Sequence, residues 1–171
     1  MVLQYDPQNK PVMKAAKMAL ETGNANYILI WVPEESENTL KNLIEKTCCE
    51  RSLKKNMQNR TIDWYFAIVN RLYYANGWPH YLSTKSKRSD EKSIVLMVER
   101  AIETGNIEEI IGVIPYTHAG DVRQRFHHVM DKRNYNVDNI ATGRAWVSSF
   151  IHLIVYLNNL FTGIPEEKSC A

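Results

Sequence analysis

The sequence predicts an all-α protein: an internally duplicated helical bundle in which two pseudo-symmetric copies of about four helices each form one compact domain. Three observations carry that expectation. Apolar residues recur at helical spacing with no strong competing strand pattern, a short segment occurs twice, and the apolar pattern around both occurrences keeps one register. Ala19-Leu20-Glu21-Thr22-Gly23-Asn24 returns as Ala101-Ile102-Glu103-Thr104-Gly105-Asn106, an offset of 82 residues. The same offset sets Ile28 on Ile110, Pro33 on Pro115, Arg51 on Arg133, Trp64 on Trp146 and Tyr74 on Tyr156, with no gap from residue 11 to about 77. Copy one then runs over about 2–83 and copy two over about 84–165 of a single domain, 1–171.

The elements follow in order. Val12, Ala15, Ala16, Ala19 and Leu20 share one face of a first helix. Gly23 stops it, because a residue without Cβ turns left-handed at little cost. Asn24 caps a short second helix by accepting from its free N–H groups, and Pro33 bars helical geometry at Val32. Pro33 then opens a third helix. Glu34, Glu35 and Glu37 suit its positive end, and Leu40, Leu43, Ile44, Thr47 and Cys48 form its inner stripe. A fourth helix over about 59–76 turns Ile62, Tyr65, Phe66, Val69, Leu72 and Tyr73 inward and ends at Gly77. Copy two repeats the order at about 90–104, 107–114, 117–133 and 138–161. Trp64 and Trp146 are expected in the core as counterparts, each burying on the order of 150–250 Å². Residues 78–90, with Lys85, Lys87 and Arg88, read as a solvated linker.

Composition removes several classes of function. A net charge of +2 lacks the basic excess of a dedicated nucleic-acid binder, and three cysteines make no disulfide framework. Their use suits a reducing compartment. No secretory signal opens the chain, so a cytoplasmic protein is expected, with export left open for a processed N-terminus. The longest apolar run, Trp146 to Phe161, falls short of the roughly 20 residues a spanning helix needs and reads as a core helix.

No established catalytic motif is present, and no cofactor is indicated. Histidines are the main chemical candidates. His127 and His128 stand four and three residues before Asp131, spacings that share a helix face and supply paired metal ligands. With His118 and Asp121 they define the second reading, a metal-dependent enzyme. The first reading is a non-enzymatic module binding a small molecule or a protein partner at the seam between the copies, where neither copy alone has a site. Tyr73, Tyr74, Val155, Tyr156 and His152 are its expected lining. A third reading is a structural protein that forms homo-oligomers.

Three segments, Asn24–Glu35 (NANYILIWVPEE), 124–132 (QRFHHVMDK) and 142–161 (TGRAWVSSFIHLIVYLNNLF), carry a family resemblance. The chain resembles a family of small prokaryotic helical proteins classed only as a domain of unknown function. Relatives carry His-Cys-Asp near the N-terminus followed by Gly-Pro-Val, where this chain has Gln4-Tyr5-Asp6 and then Lys10-Pro11-Val12. Relatives also tend to have histidine where Tyr73 and Val155 stand here, two positions 82 residues apart. The resemblance implies a metal or haem site in such relatives that this chain lacks or builds differently.

Overall fold

The computed structural model describes residues 10–53, 58–79 and 89–162. All regular structure among them is helical. The helices are α1 (Pro11–Thr22), α2 (Asn26–Leu29), α3 (Glu37–Leu53), α4 (Gln58–Tyr74), α5 (Ser89–Thr104), α6 (Glu108–Ile111), α7 (Ala119–Lys132) and α8 (Ile140–Thr162). Contacts group the chain into two compact units, one of residues 1–85 with 137–141, the other of 86–136 with 142–171. Gln4, Tyr5, Asp6, His80, Lys85, Lys87, Arg88 and Cys170 lie outside the described residues.

In the first unit, α1 begins on a proline, whose fixed φ fits a first helical position. It buries Val12, Met13, Ala16, Ala19 and Leu20 and touches α2, α3 and α4. Gly23 ends it at φ +69°, in the left-handed region. Asn24 then accepts, through Oδ1, the Asn26 N–H at 3.0 Å, which is the cap the sequence implies. The expected second helix is shorter than its periodicity suggests. It ends at Leu29, and Trp31 and Val32 close tighter turns by donating to the Ile28 and Leu29 carbonyls. The cause lies downstream, where Pro33 holds the chain extended (ψ 152°). Ile28 through Val32 are all buried, so this turn is a plug in the core.

The third helix also starts later than its proline suggests. A single 3-10 turn, Glu34–Ser36, precedes α3. Leu40, Leu43, Ile44 and Thr47 are buried on α3, and the Thr47 hydroxyl is satisfied by the Leu43 carbonyl at 2.7 Å. Cys48 is half-buried and Cys49 exposed, and neither forms a disulfide among the described residues. Tyr65 is fully buried on α4 and donates to the Ala16 carbonyl of α1 at 2.9 Å. Burial, and secondarily the nearby Cys48 thiol, push the Tyr65 hydroxyl above the ordinary tyrosine value of 10.0.

The second unit repeats these devices. Gly105 ends α5 at φ +70°, and Asn106 Oδ1 accepts the Glu108 N–H at 2.9 Å. Arg133 donates to the Ile102 carbonyl at 2.8 Å, near the α5 C-terminus where carbonyls lack helical partners. Val122, Phe126 and Val129 of α7 are buried, as are Val147, Phe150, Leu153, Ile154 and Leu157 of α8.

Helix α8 has 23 residues, close to the expected span of about 138–161. By length and composition Ile140–Phe161 could therefore cross a membrane, although half of its most apolar stretch is buried within the protein. Trp64 is not a core residue, being 52% exposed, and Trp146 is only half-buried. His152 is exposed on α8. The physical reason is the same for both residue types: tryptophan and histidine side chains pair an apolar body with a polar N–H and tolerate a boundary position.

Two outcomes are expected. Gly105→Ala should cost about 1 kcal/mol in urea unfolding, since an added Cβ meets nothing within 4 Å and only backbone strain remains. Gly120→Ala, in α7 with equally open space, should instead stabilise by roughly 0.5 kcal/mol. The second outcome concerns alkaline pH. Tyr65 stays protonated in the folded protein above pH 10.0 while the unfolded chain ionises, so the unfolded state binds fewer protons and stability falls with rising pH. Relative to Tyr65→Phe, the wild type should lose up to about 1.4 kcal/mol per pH unit there. Parallel pH profiles of the two proteins would refute this assignment.

Candidate functional site

Two side-chain clusters stand out, one in each unit. The first centres on Tyr156, which is 7% exposed on α8. Its hydroxyl is 3.2 Å from Asp121 Oδ2 and 3.0 Å from His118 Nδ1, and the Arg125 guanidinium lies 4.2 Å above its ring. A phenol has one proton to give. An ionised carboxylate only accepts, so the proton points to Asp121, and His118 Nδ1 must carry the hydrogen that the phenol oxygen receives. The proton count thus sets the imidazole tautomer. Asp121 and Arg125 come from α7, one turn apart, and His118 ends the 3-10 turn just before it. The cluster fastens α7 to α8 with polar bonds and a cation–π contact.

The second cluster lines an open cleft of about 320 Å³ between α3 and α4. Lys46, Thr47 and Glu50 come from α3, and Arg60, Thr61 and Trp64 from α4, each set at i, i+1, i+4 and so along one helix face. Thr61 donates to Glu50 Oε2 at 3.2 Å. Lys46 and Arg60 are exposed and form no ion pair among the described residues.

The positions 82 residues further on differ in one decisive respect. Trp146 is stacked on Phe150 (5.4 Å between centroids, 16° between planes) and meets Tyr135 at 5.8 Å. Lys132 donates to Ser149 at 3.0 Å. Where Phe150 and Tyr135 stand in that unit, the first has Ile68 and Leu53, so Trp64 has no aromatic residue at either position.

The residues singled out from sequence distribute as follows. Tyr73 is buried on α4 and donates to the Pro79 carbonyl at 2.9 Å, with its ring against Tyr74 and Trp78. Tyr74 and Val155 are half-buried, and His152 is exposed. The histidine–aspartate set is not assembled as a metal centre. Among the described residues no group of three or more His, Cys, Asp or Glu could hold a metal ion. His127, His128 and Asp131 are exposed on α7, whereas His118 and Asp121 are engaged by Tyr156. Sequence reasoning missed the cleft altogether. Its signal was present in the comparison of Ile68 with Phe150: four residues after Trp146 stands an aromatic ring, and four residues after Trp64 there is none.

What the geometry defines is an all-helical protein with a small open cleft and a saturated polar cluster. Residues 9–156 match the model of a family of unknown function, DUF6448, and the chain belongs to that family. No curated protein and no solved structure matches it.

The tautomer is directly measurable. In long-range ¹H–¹⁵N spectra the neutral imidazole of His118 should carry its proton on Nδ1. Tyr156→Phe should release it toward Nε2–H and cost about 1–2 kcal/mol of stability. An Nε2–H signal in the wild type would overturn the proton assignment.

Proposed function

We propose that the protein is a non-enzymatic module that binds a small molecule in the cleft between α3 and α4. The observation that carries this reading is Trp64: a large indole, 52% exposed, on the wall of a cleft whose two cations have no ion-pair partner among the described residues. An aromatic face with a few polar groups around it is the usual composition of a small-molecule site.

We infer further that the chain arose by duplication, and the element bounds support this. The helices α2 and α6, and the two 3-10 turns, coincide at both ends after a shift of 82 residues. The starts of α3 and α7, and of α4 and α8, coincide as well. On this reading one copy kept an open tryptophan while the other covered it.

A fragment titration tests the binding reading. Neutral, anionic and cationic aromatic and aliphatic fragments are added to ¹⁵N-labelled protein, and the Trp64 indole cross-peak, assigned with Trp64→Phe, is followed. Saturable shifts at Trp64, Lys46 and Arg60 are expected from at least one chemical class. If no class moves these resonances, the cleft is not a binding site.

A further inference from the structure

We infer that the ligand class of this cleft is a small planar aromatic monoanion, such as an aryl carboxylate. The inference rests on the binding reading above and adds the chemistry of the occupant. Three observations specify that chemistry independently.

The first is charge. Of the three ionisable groups lining the cleft, Lys46 and Arg60 are cationic and form no ion pair among the described residues, while Glu50 is engaged by the Thr61 hydroxyl. One carboxylate against two cations leaves the cleft one positive charge in excess, matched by a monoanion. A cationic ligand would meet Lys46 and Arg60, and only a carboxylate already accepting a hydrogen bond would favour it. The second is size. At about 320 Å³ the cleft lies at the low end of small-molecule sites, roughly 300–1,000 Å³, which suits one or two fused rings and not a dinucleotide. The third comes from the other unit, where the tryptophan at the matching position is stacked by Phe150 nearly in parallel. A phenyl ring is thus what the protein itself places on that indole. Trp64 has the non-aromatic Ile68 where that ring stands and is 52% exposed on the cleft wall, so a ligand's ring can stack on the open part of the indole while its carboxylate meets the cations.

The test uses the full chain and three probes: 2-naphthoate, the neutral 2-naphthalenemethanol, and cyclohexanecarboxylate, an anion without an aromatic ring. Dissociation constants are read at low salt from the Trp64 indole cross-peak and, in Trp64→Leu, from the backbone amide cross-peaks of Lys46, Arg60 and Thr61, which line the same cleft. Naphthoate should bind at least about tenfold tighter than either control. The double variant Lys46→Gln/Arg60→Gln should reduce naphthoate to the affinity of the neutral probe and leave that probe unchanged. Trp64→Leu should abolish both aromatic interactions. All three positions are exposed, and far-UV circular dichroism with thermal unfolding confirms that each variant folds. Equal affinity for naphthoate and naphthalenemethanol overturns the anion assignment, and equal affinity for naphthoate and cyclohexanecarboxylate overturns the aromatic one. Naphthoate shifts that persist in Trp64→Leu overturn the site. If another fragment binds at Trp64 and naphthoate does not, this ligand class fails while the binding reading stands. Silence of every probe fails both.

Discussion

Each unit depends on one backbone constraint, a glycine in the left-handed region at the end of its first long helix. Gly23 and Gly105 adopt φ of +69° and +70°, where an L-residue is strained. If either helix ran on in right-handed geometry, the next segment would continue along its axis. The turn instead brings the chain back, and the following asparagine offers its side-chain oxygen to an N–H that the new helical turn leaves without a partner. In the first unit this delivers Ile28 to Val32 as five consecutive buried residues. Such a run suits neither one face of a helix nor a half-exposed strand. It fits only where the chain plugs a space that other helices enclose.

The later helices are held by bonds of a different kind. Tyr65 reaches from α4 to the Ala16 carbonyl of α1, linking positions 49 residues apart inside the apolar core. At the matching position of the second unit stands Val147, which makes no such bond, and there the fastening between helices moves to Tyr156 with His118, Asp121 and Arg125. At three of those positions the first unit has Ser36, Thr39 and Leu43, and Leu43 is simply buried. Comparable helices are thus tied by an internal hydroxyl–carbonyl bond in one case and by a boundary polar cluster in the other.

A difference between the units bears on function as well. An exposed indole costs solvation that a protein ordinarily recovers by covering it, as Tyr135 and Phe150 cover Trp146. Trp64 remains half in solvent beside Lys46 and Arg60. Membership of a family without an assigned activity leaves chemistry to be argued from the side chains themselves. On that ground the open tryptophan carries more than the histidines do, since His127 and His128 are exposed on α7 with no third ligand assembled beside them among the described residues, and His118 is already bonded.

By itself, the sequence determined what depends on neighbours along the chain. Helix order, the two glycine stops, the asparagine caps and the inner stripe Leu40, Leu43, Ile44, Thr47 all follow from local backbone preference and a period of about 3.6 residues. At α2 and α3 the sequence marks Pro33 as the boundary but does not set the tightness of the turns on either side of it. Tertiary structure alone decided which face of each helix meets which partner. Periodicity assigns a side chain to a face of its own helix but leaves the rotation of that helix against the next undetermined. That rotation exposes Trp64 and His152, and it brings His118 within 3.0 Å of a hydroxyl 38 residues away. Packing sets it collectively through the volumes of many side chains at once, so no single stretch of sequence encodes it.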